Sequence, residues 1–477
     1  MSEPWALAFE DRQYTRADLD ALAAGMAAEL QQRGVVAGSR VALMSSNRPE
    51  FVAALHAIWR LGGAAVLLSP AWKRTEVDHA LSLTEPTHAV GDHPVLAEAM
   101  PMLPLDQEIP PAEHEALEPD PAADAVLVFS SGTTGMPKAV RHTHASLAVA
   151  VRHWRSGLGL TSADRMQVMT PPSHILGLLN ILMALDTGAW IRLHRRFDID
   201  AMLRHIESDR ITVEMAVAPI ALALSAHPEL EKHDLTSLRC IMWCATPVTS
   251  SVAVAVTQRT GVSWVTAYGA SELPVISCND LQQPRLDTVG RAVDGVDLRI
   301  VSLETGEVLG PDAEGEIQVR SDSAMAGYLP DEWTGHAFTD GWYRTGDVGT
   351  LDADGWLRIT DRAKEMIKVR GFQVAPAEVE AVLHGHPAVD DCAVFGVPAG
   401  DGEAIVAAVT ARGPVDTGEL AALVGERLAS YKRPSRVVVV DEIPRLPSGK
   451  VLRRVLRERA MSARAKSGEF CGRPSDQ

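Results

Sequence analysis

Cysteine is scarce in this chain of 477 residues. There are five, Cys240, Cys244, Cys278, Cys392 and Cys471, and no two form a CxxC pair. An odd set without that spacing argues against a disulfide framework and a zinc site, and fits a reducing, cytoplasmic setting. Cys240 and Cys244 read as two small apolar residues beside a strand. Long apolar runs are lacking as well. The stretches ILGLLNILMAL from Ile175 and MAVAPIALALSA from Met215 fall well short of the roughly 20 residues a membrane-spanning helix needs. The opening MSEPWALAFEDRQ has acidic residues and no apolar core, so it does not read as a signal peptide. Positive charge is in deficit: 45 Lys and Arg against 62 Asp and Glu give a net charge of −17. Such a surface repels nucleic acid and anionic membrane, yet a small anion needs only a local positive pocket.

With 46% hydrophobic residues the chain can bury a large core, and its length suggests two or three domains. Thr15 stands three before Asp18, an N-cap arrangement, and Leu19, Leu22, Met26 and Leu30 then share a helical face that Gly34 ends. RVALMS from Arg40 reads as a strand, the segment from Asn47 to Trp59 as a helix, and AAVLLSP from Ala64 as a strand. That rhythm predicts a parallel sheet covered by helices. After a Pro-rich acidic loop, DAVLVFS reads as a strand leading through FSSGTTGMPKAV into a helix. Past about residue 290, alternating residues and Gly turns predict antiparallel hairpins. Beyond Arg362 helix and strand patterns return as a small α+β unit.

FSSGTTGMPKAV, Phe129 to Val140, concentrates hydroxyls, two glycines and Lys138. It is not a Walker loop, because no hydroxyl follows the lysine at the required spacing. Four further segments carry mixed chemistry: YGASEL from Tyr268, WYRTGDVG from Trp342, DRAKEMIKVRGFQVAPAEVE from Asp361, and PRLPSGKVLRR from Pro444.

In these five motifs, in this order, the chain resembles the adenylate-forming superfamily, and RGFQVAPAEVE is most similar to its 4-coumarate-CoA ligase and luciferase branch. The resemblance implies an α/β fold. A large N-terminal domain, 1–361, of parallel-rich sheets with a β-rich subdomain would precede a small mobile α+β domain, 362–477, with a hinge near Lys364. It implies an ATP-dependent enzyme that converts a carboxylic acid to acyl-AMP, releases pyrophosphate and passes the acyl group to coenzyme A. Ser130, Ser131, Gly132, Thr133, Thr134, Gly135 and Lys138 would hold the β- and γ-phosphates. Glu272, with Thr134, would hold Mg²⁺. Cys244, Ala245 and Thr246 would lie along adenine, Tyr268 and Gly269 would face it, and Ser271 would meet the α-phosphate. Asp347 and Arg362 would bind the ribose. Lys450 would bridge the carboxylate and the α-phosphate, His174 would gate the acyl pocket, and Lys368, Arg370 and Gly371 would line the thiol tunnel.

Several positions depart from that pattern. The chain opens about a dozen residues before its first expected helix, a shorter lead than in most relatives. Leu176 replaces a tyrosine that would bond a phenol, and Cys244 replaces a glycine beside the acyl pocket. Both favour acids other than phenolic cinnamates. His142 and His144 receive no role. The acceptor could also be a carrier-protein thiol or a nitrogen nucleophile, and a ligand-binding regulator without catalysis is the non-enzymatic alternative. The expected partner is a small-molecule carboxylic acid, with a separate carrier protein as a possible second.

Overall fold

The computed structural model describes residues 4–110, 112, 114–130, 137–244, 250–362, 365–369, 372–399, 402–428, 430–445 and 451–466. Local chemistry sets its first helix. The Asp18 backbone N–H donates to the Thr15 hydroxyl at 3.1 Å, and the Thr15 N–H donates to the Asp18 carboxylate at 2.8 Å. This capping box starts helix Arg16–Gln32, and Leu19, Met26 and Leu30 are buried on its inner face. Gly34, at φ +96°, takes the left-handed turn that follows. Two short strands before the helix, Trp5–Phe9 and Arg12–Thr15, carry no strong periodicity in so short a run, and they pair antiparallel.

Two large sheets follow. The seven-stranded sheet runs Gly327–Leu329, Lys138–Thr143, Asp124–Ser130, Ala64–Leu68, Arg40–Met44, His88–Gly91, Met102–Pro104. Its last five strands are parallel, and both joins of Lys138–Thr143 are antiparallel. Alternate residues explain why the strands read as unbroken apolar runs. Ala42, Met44, Val66 and Leu68 form one core cluster, while Val41, Leu43, Ala65 and Leu67 are equally buried. The nine-stranded sheet is parallel through Trp5–Phe9, Trp190–Leu193, Arg165–Val168, Val213–Ala216, Cys240–Trp243 and Trp264–Tyr268, and ends in antiparallel strands on both sides. A five-stranded β-rich sheet includes Val296–Val301, Gly315–Ser321 and Trp342–Leu351.

One core site of the nine-stranded sheet is polar. Glu214 is fully buried and accepts from Gln167 Nε2 at 2.6 Å, while Gln167 Oε1 accepts from His194 Nε2 at 2.8 Å. Burial pushes the Glu214 carboxyl up to about 8 and the His194 imidazole down to about 4, so both are neutral near pH 7.

By compactness the chain divides into residues 1–299, 318–345 and 354–357 as one unit, and 300–317, 346–353 and 358–477 as the other. In the second unit, strands Val389–Ala399, Gly402–Ala411 and Arg436–Val439 form a sheet. Period-two alternation sends Cys392 and Val394 to one face, where they pack in a cluster with Val379, Leu383, Leu420 and Val424. Ala393, Phe395 and Val397 go to the other face with Leu456 and Ala460. Arg453 ties this unit together, donating to Glu365 at 2.5 Å, to Glu380 at 2.7 Å and to the Val394 carbonyl at 2.9 Å. Among the described residues, no helix is long and apolar enough to cross a membrane.

Candidate active site

The glycine-hydroxyl segment joins two strands rather than a strand and a helix. Asp124–Ser130 and Lys138–Thr143 pair antiparallel with Ser130 opposite Lys138, and the helix His144–Leu158 begins only after them. KAVRHT is a strand where the sequence pattern predicts passage from loop into helix, with Ala139 and Val140 buried between strands on both sides. Ser131, Gly132, Thr133, Thr134 and Gly135 lie outside the described residues. At the stem, the Pro137 carbonyl accepts from His79 Nε2 at 2.9 Å. The Lys138 ammonium lies 3.6 Å from the centroid of the Trp333 ring and 5.2 Å from that of Tyr328.

YGASEL forms a tight turn after strand Trp264–Tyr268. The Ala270 N–H donates to the Leu273 carbonyl at 3.0 Å, and the Ile276 N–H reaches back to the Tyr268 carbonyl at 2.9 Å. Gly269 is required by space, since a Cβ there would stand 2.0 Å from the Pro274 carbonyl oxygen. Glu272, only 9% exposed, accepts at Oε1 from the Tyr328 hydroxyl at 2.7 Å, and its backbone carbonyl accepts from the Met325 N–H at 2.8 Å. Burial and the Glu272 carboxylate raise the Tyr328 phenol well above its usual range, so it remains a donor.

His142, for which the sequence suggested no role, joins these two pieces. It is fully buried, and its Nε2 donates to the Ser271 carbonyl at 2.7 Å. Burial lowers its pKa and keeps the ring neutral, which suits a single donor to a carbonyl. The strand leaving the glycine-hydroxyl segment is thus bonded directly to the turn that carries Glu272. No sequence pattern marks a histidine for that task. Tyr328 and Trp333 were missed for the same reason, because their partners are distant in the chain.

The other expected residues that the structure describes lie as follows. His174 caps helix Ile175–Thr187, its Nδ1 accepting from the Leu176 N–H at 3.3 Å. Burial lowers its pKa, and with Nδ1 accepting, the proton of the neutral ring sits on Nε2. Cys244 follows strand Cys240–Trp243, buried, with its thiol pushed up to about 12 by burial, so it is unreactive. Ala245 and Thr246 lie outside the described residues. Leu176 packs against the core cluster that contains Met169 and Trp243. Asp347 is buried in strand Trp342–Leu351, beside Gly346 at φ +69°. Arg362 ends strand Leu357–Arg362, and Lys368 is the centre of strand Ile367–Val369, opposite Gln373. Lys364, Arg370, Gly371 and Lys450 lie outside the described residues. The flanks of Lys450 are described: Arg445 and Val451 form an antiparallel bridge, and Arg445 holds Asp391 at 2.8 Å.

The chain matches the AMP-binding enzyme family model over residues 2–329, and the AMP-binding enzyme C-terminal domain over residues 378–450. It belongs to the adenylate-forming superfamily of AMP-binding enzymes. It is 33% identical to 4-coumarate–CoA ligase 1 of Oryza sativa subsp. japonica over 93% of this chain and 87% of that protein. Among solved structures, it is similar to the amide bond synthetase McbA of Marinactinospora thermotolerans, with a TM-score of 0.88, 31% identity and coverage of 96% and 97%. It is also similar to o-succinylbenzoate coenzyme A synthetase of Bacillus subtilis in complex with ATP and magnesium ion. There the TM-score is 0.86, with 31% identity and coverage of 95% and 96%.

For an AMP-binding enzyme the donor set is informative. Among the described residues, no three His, Cys, Asp or Glu side chains cluster to cage a metal. A magnesium ion carried on one or two protein oxygens, with phosphate and water completing its shell, asks for no such cage. A single acid held at one oxygen, as Glu272 is by Tyr328, fits that demand.

Proposed function

We propose that the chain is an AMP-forming acid–thiol ligase that makes acyl-CoA through an acyl-adenylate. The observation that carries this reading is the His142–Ser271 bond, which fastens the stem of the glycine-hydroxyl segment to the turn bearing Glu272. An anion-binding loop and a metal-binding acid made as one construction suit a reaction whose leaving group is pyrophosphate.

In the first half-reaction a carboxylate oxygen attacks the α-phosphorus of ATP, and the bond to the β-phosphate oxygen breaks. Ser130, Ser131, Gly132, Thr133, Thr134 and Gly135 wrap the departing phosphates, and Lys138 adds a positive charge to them. Magnesium at Glu272 and Thr134 would supply charge neutralisation on the pyrophosphate. Tyr268, Gly269 and the 244–246 segment receive adenine, Ser271 the α-phosphate, and Asp347 with Arg362 the ribose. Lys450 stabilises the charge building between carboxylate and phosphorus, while His174 Nε2–H donates toward the acid.

In the second half-reaction the sulfur of CoA attacks the acyl carbon, the acyl–phosphate bond breaks, AMP leaves and the thiol proton passes to solvent. Residues 362–477 act as the mobile domain, turning near Lys364 so that Lys368, Arg370 and Gly371 replace Lys450 beside the acyl group. Leu176 and Cys244 bound the acid side, where Leu176 offers no hydroxyl to a phenol.

The likeness to an amide bond synthetase favours a second reading, transfer to an amine. Pyrophosphate release from Mg-ATP across aliphatic, alicyclic and aryl acids, each with CoA, with an amine or with neither, tests both. Turnover only with CoA supports the ligase, and turnover only with amine replaces it. Free phosphate in place of pyrophosphate removes adenylation altogether.

A further inference from the structure

The surroundings of Lys138 show how its charge is held. Strand Gly327–Leu329 pairs with Lys138–Thr143 so that Tyr328 stands opposite Val140. Lys138, two residues from Val140, therefore shares the Tyr328 face as its diagonal neighbour. After this strand the chain turns through Asp331–Trp333, with the Trp333 N–H donating to the Pro330 carbonyl at 3.3 Å. The turn is fastened at two points: the Tyr328 N–H donates to the Thr334 hydroxyl at 2.9 Å, and Arg141 lies 3.5 Å from Asp331. It brings the half-buried indole of Trp333 to 3.6 Å from the Lys138 ammonium. The same short segment therefore contacts both charged groups of the phosphate site, Glu272 through Tyr328 and Lys138 through Trp333.

We propose that Trp333 is a positioning residue for Lys138, using its ring face to hold the ammonium where the leaving pyrophosphate will sit. This rests on the phosphate role given to Lys138 above. A lysine has a flexible four-carbon stem, and immobilising it on binding an anion costs conformational entropy. A ring that restrains the ammonium beforehand removes part of that cost. The ring contacts the ammonium from one side, and the group has three N–H donors, so contact with phosphate does not require leaving the indole. Glu272 is set by a hydrogen bond from the same segment, so both charges are in place before the nucleotide arrives.

The test is equilibrium binding of Mg-pyrophosphate by calorimetry to the full chain. The variants are Trp333→Leu, Trp333→Phe, Lys138→Met and the double variant Trp333→Leu with Lys138→Met. Trp333→Leu keeps an apolar side chain and loses the π face, so Kd should rise about three- to tenfold, with Trp333→Phe in between. The Leu change should add nothing once Lys138 is Met, which a merely structural role would not produce. In steady state, KM for ATP should rise more than kcat falls. Binding by Trp333→Leu within twofold of the unaltered protein overturns the proposal. So do equal losses in Leu and Phe, or additive losses in the double variant. An unaltered protein that binds no Mg-pyrophosphate overturns the role of Lys138 itself, and this proposal with it.

Discussion

His174 has two claims on it, and they separate at the level of single atoms. Its Nδ1 accepts the Leu176 N–H at the start of helix Ile175–Thr187, a capping task that asparagine also performs. Its Nε2–H is the atom proposed to meet the acid. His174→Ala should lose both, with about 1 kcal/mol of stability in thermal or denaturant melts. His174→Asn should recover most of that stability while remaining slow in adenylation. Recovery of full rate by asparagine would reduce His174 to a cap. Glu214 makes a prediction in pH. Its folded pKa of about 8 lies above its ordinary 4.5, so it withdraws stability as pH climbs between those values. His194, lowered from 6.5 to about 4, adds stability as pH rises over its own range, so the two slopes oppose one another up to about 6.5. Above 6.5 Glu214 acts without that counterweight. Between pH 6.5 and 8 the melting temperature should therefore fall more steeply in the unaltered protein than in Glu214→Gln. Parallel curves would refute a neutral buried carboxyl.

Whole elements are less forgiving than single side chains, and the Tyr268–Ile276 turn shows why. A methyl group on Gly269 would collide with backbone at Pro274, which cannot move without breaking the bonds from Ala270 and Ile276. Gly269→Ala should cost about 1–3 kcal/mol and displace Glu272 as well. Mg-pyrophosphate affinity should then fall together with the melting temperature, and a stable variant with unchanged affinity would show that the turn does not set the acid. The legibility of elements followed their range of interaction. The Thr15 cap and the strands at Arg40 and Ala64 were readable because their signals are local. Lys138–Thr143 was not. Its partners lie at Asp124–Ser130 and at Gly327–Leu329, and no local signal in KAVRHT reports a strand nearly two hundred residues away. His142, Tyr328 and Trp333 escaped notice for the same reason, whereas Glu272 and Lys138 were singled out by the motifs that carry the family resemblance.

At the scale of the molecule, two family models match residues 2–329 and 378–450, and each unit has its own core. In the reading proposed above, two half-reactions are served by different surfaces of residues 362–477. Lys450→Ala should slow pyrophosphate release by about two to three powers of ten, the scale of losing a main electrostatic group. The same variant should make thioester from supplied acyl-AMP and CoA at close to the unaltered rate. Rapid-quench assays of each step decide it, and equal losses in both would mean that Lys450 serves one fixed arrangement. Net charge belongs to this scale too. At −17, the surface as a whole opposes anionic substrates, so the proposed reading relies on local positive groups such as Lys138 to capture ATP.

The pairing of Gly327–Leu329 with Lys138–Thr143 has a consequence for descent. One residue inserted ahead of Tyr328 would turn its ring to the opposite side of the sheet, abandoning Glu272 and Lys138 in a single event. Exchanging one amino acid for another there disturbs one contact at a time and can be repaired by later changes. What a lineage must inherit intact along this stretch is its length, and its spelling has more room to drift.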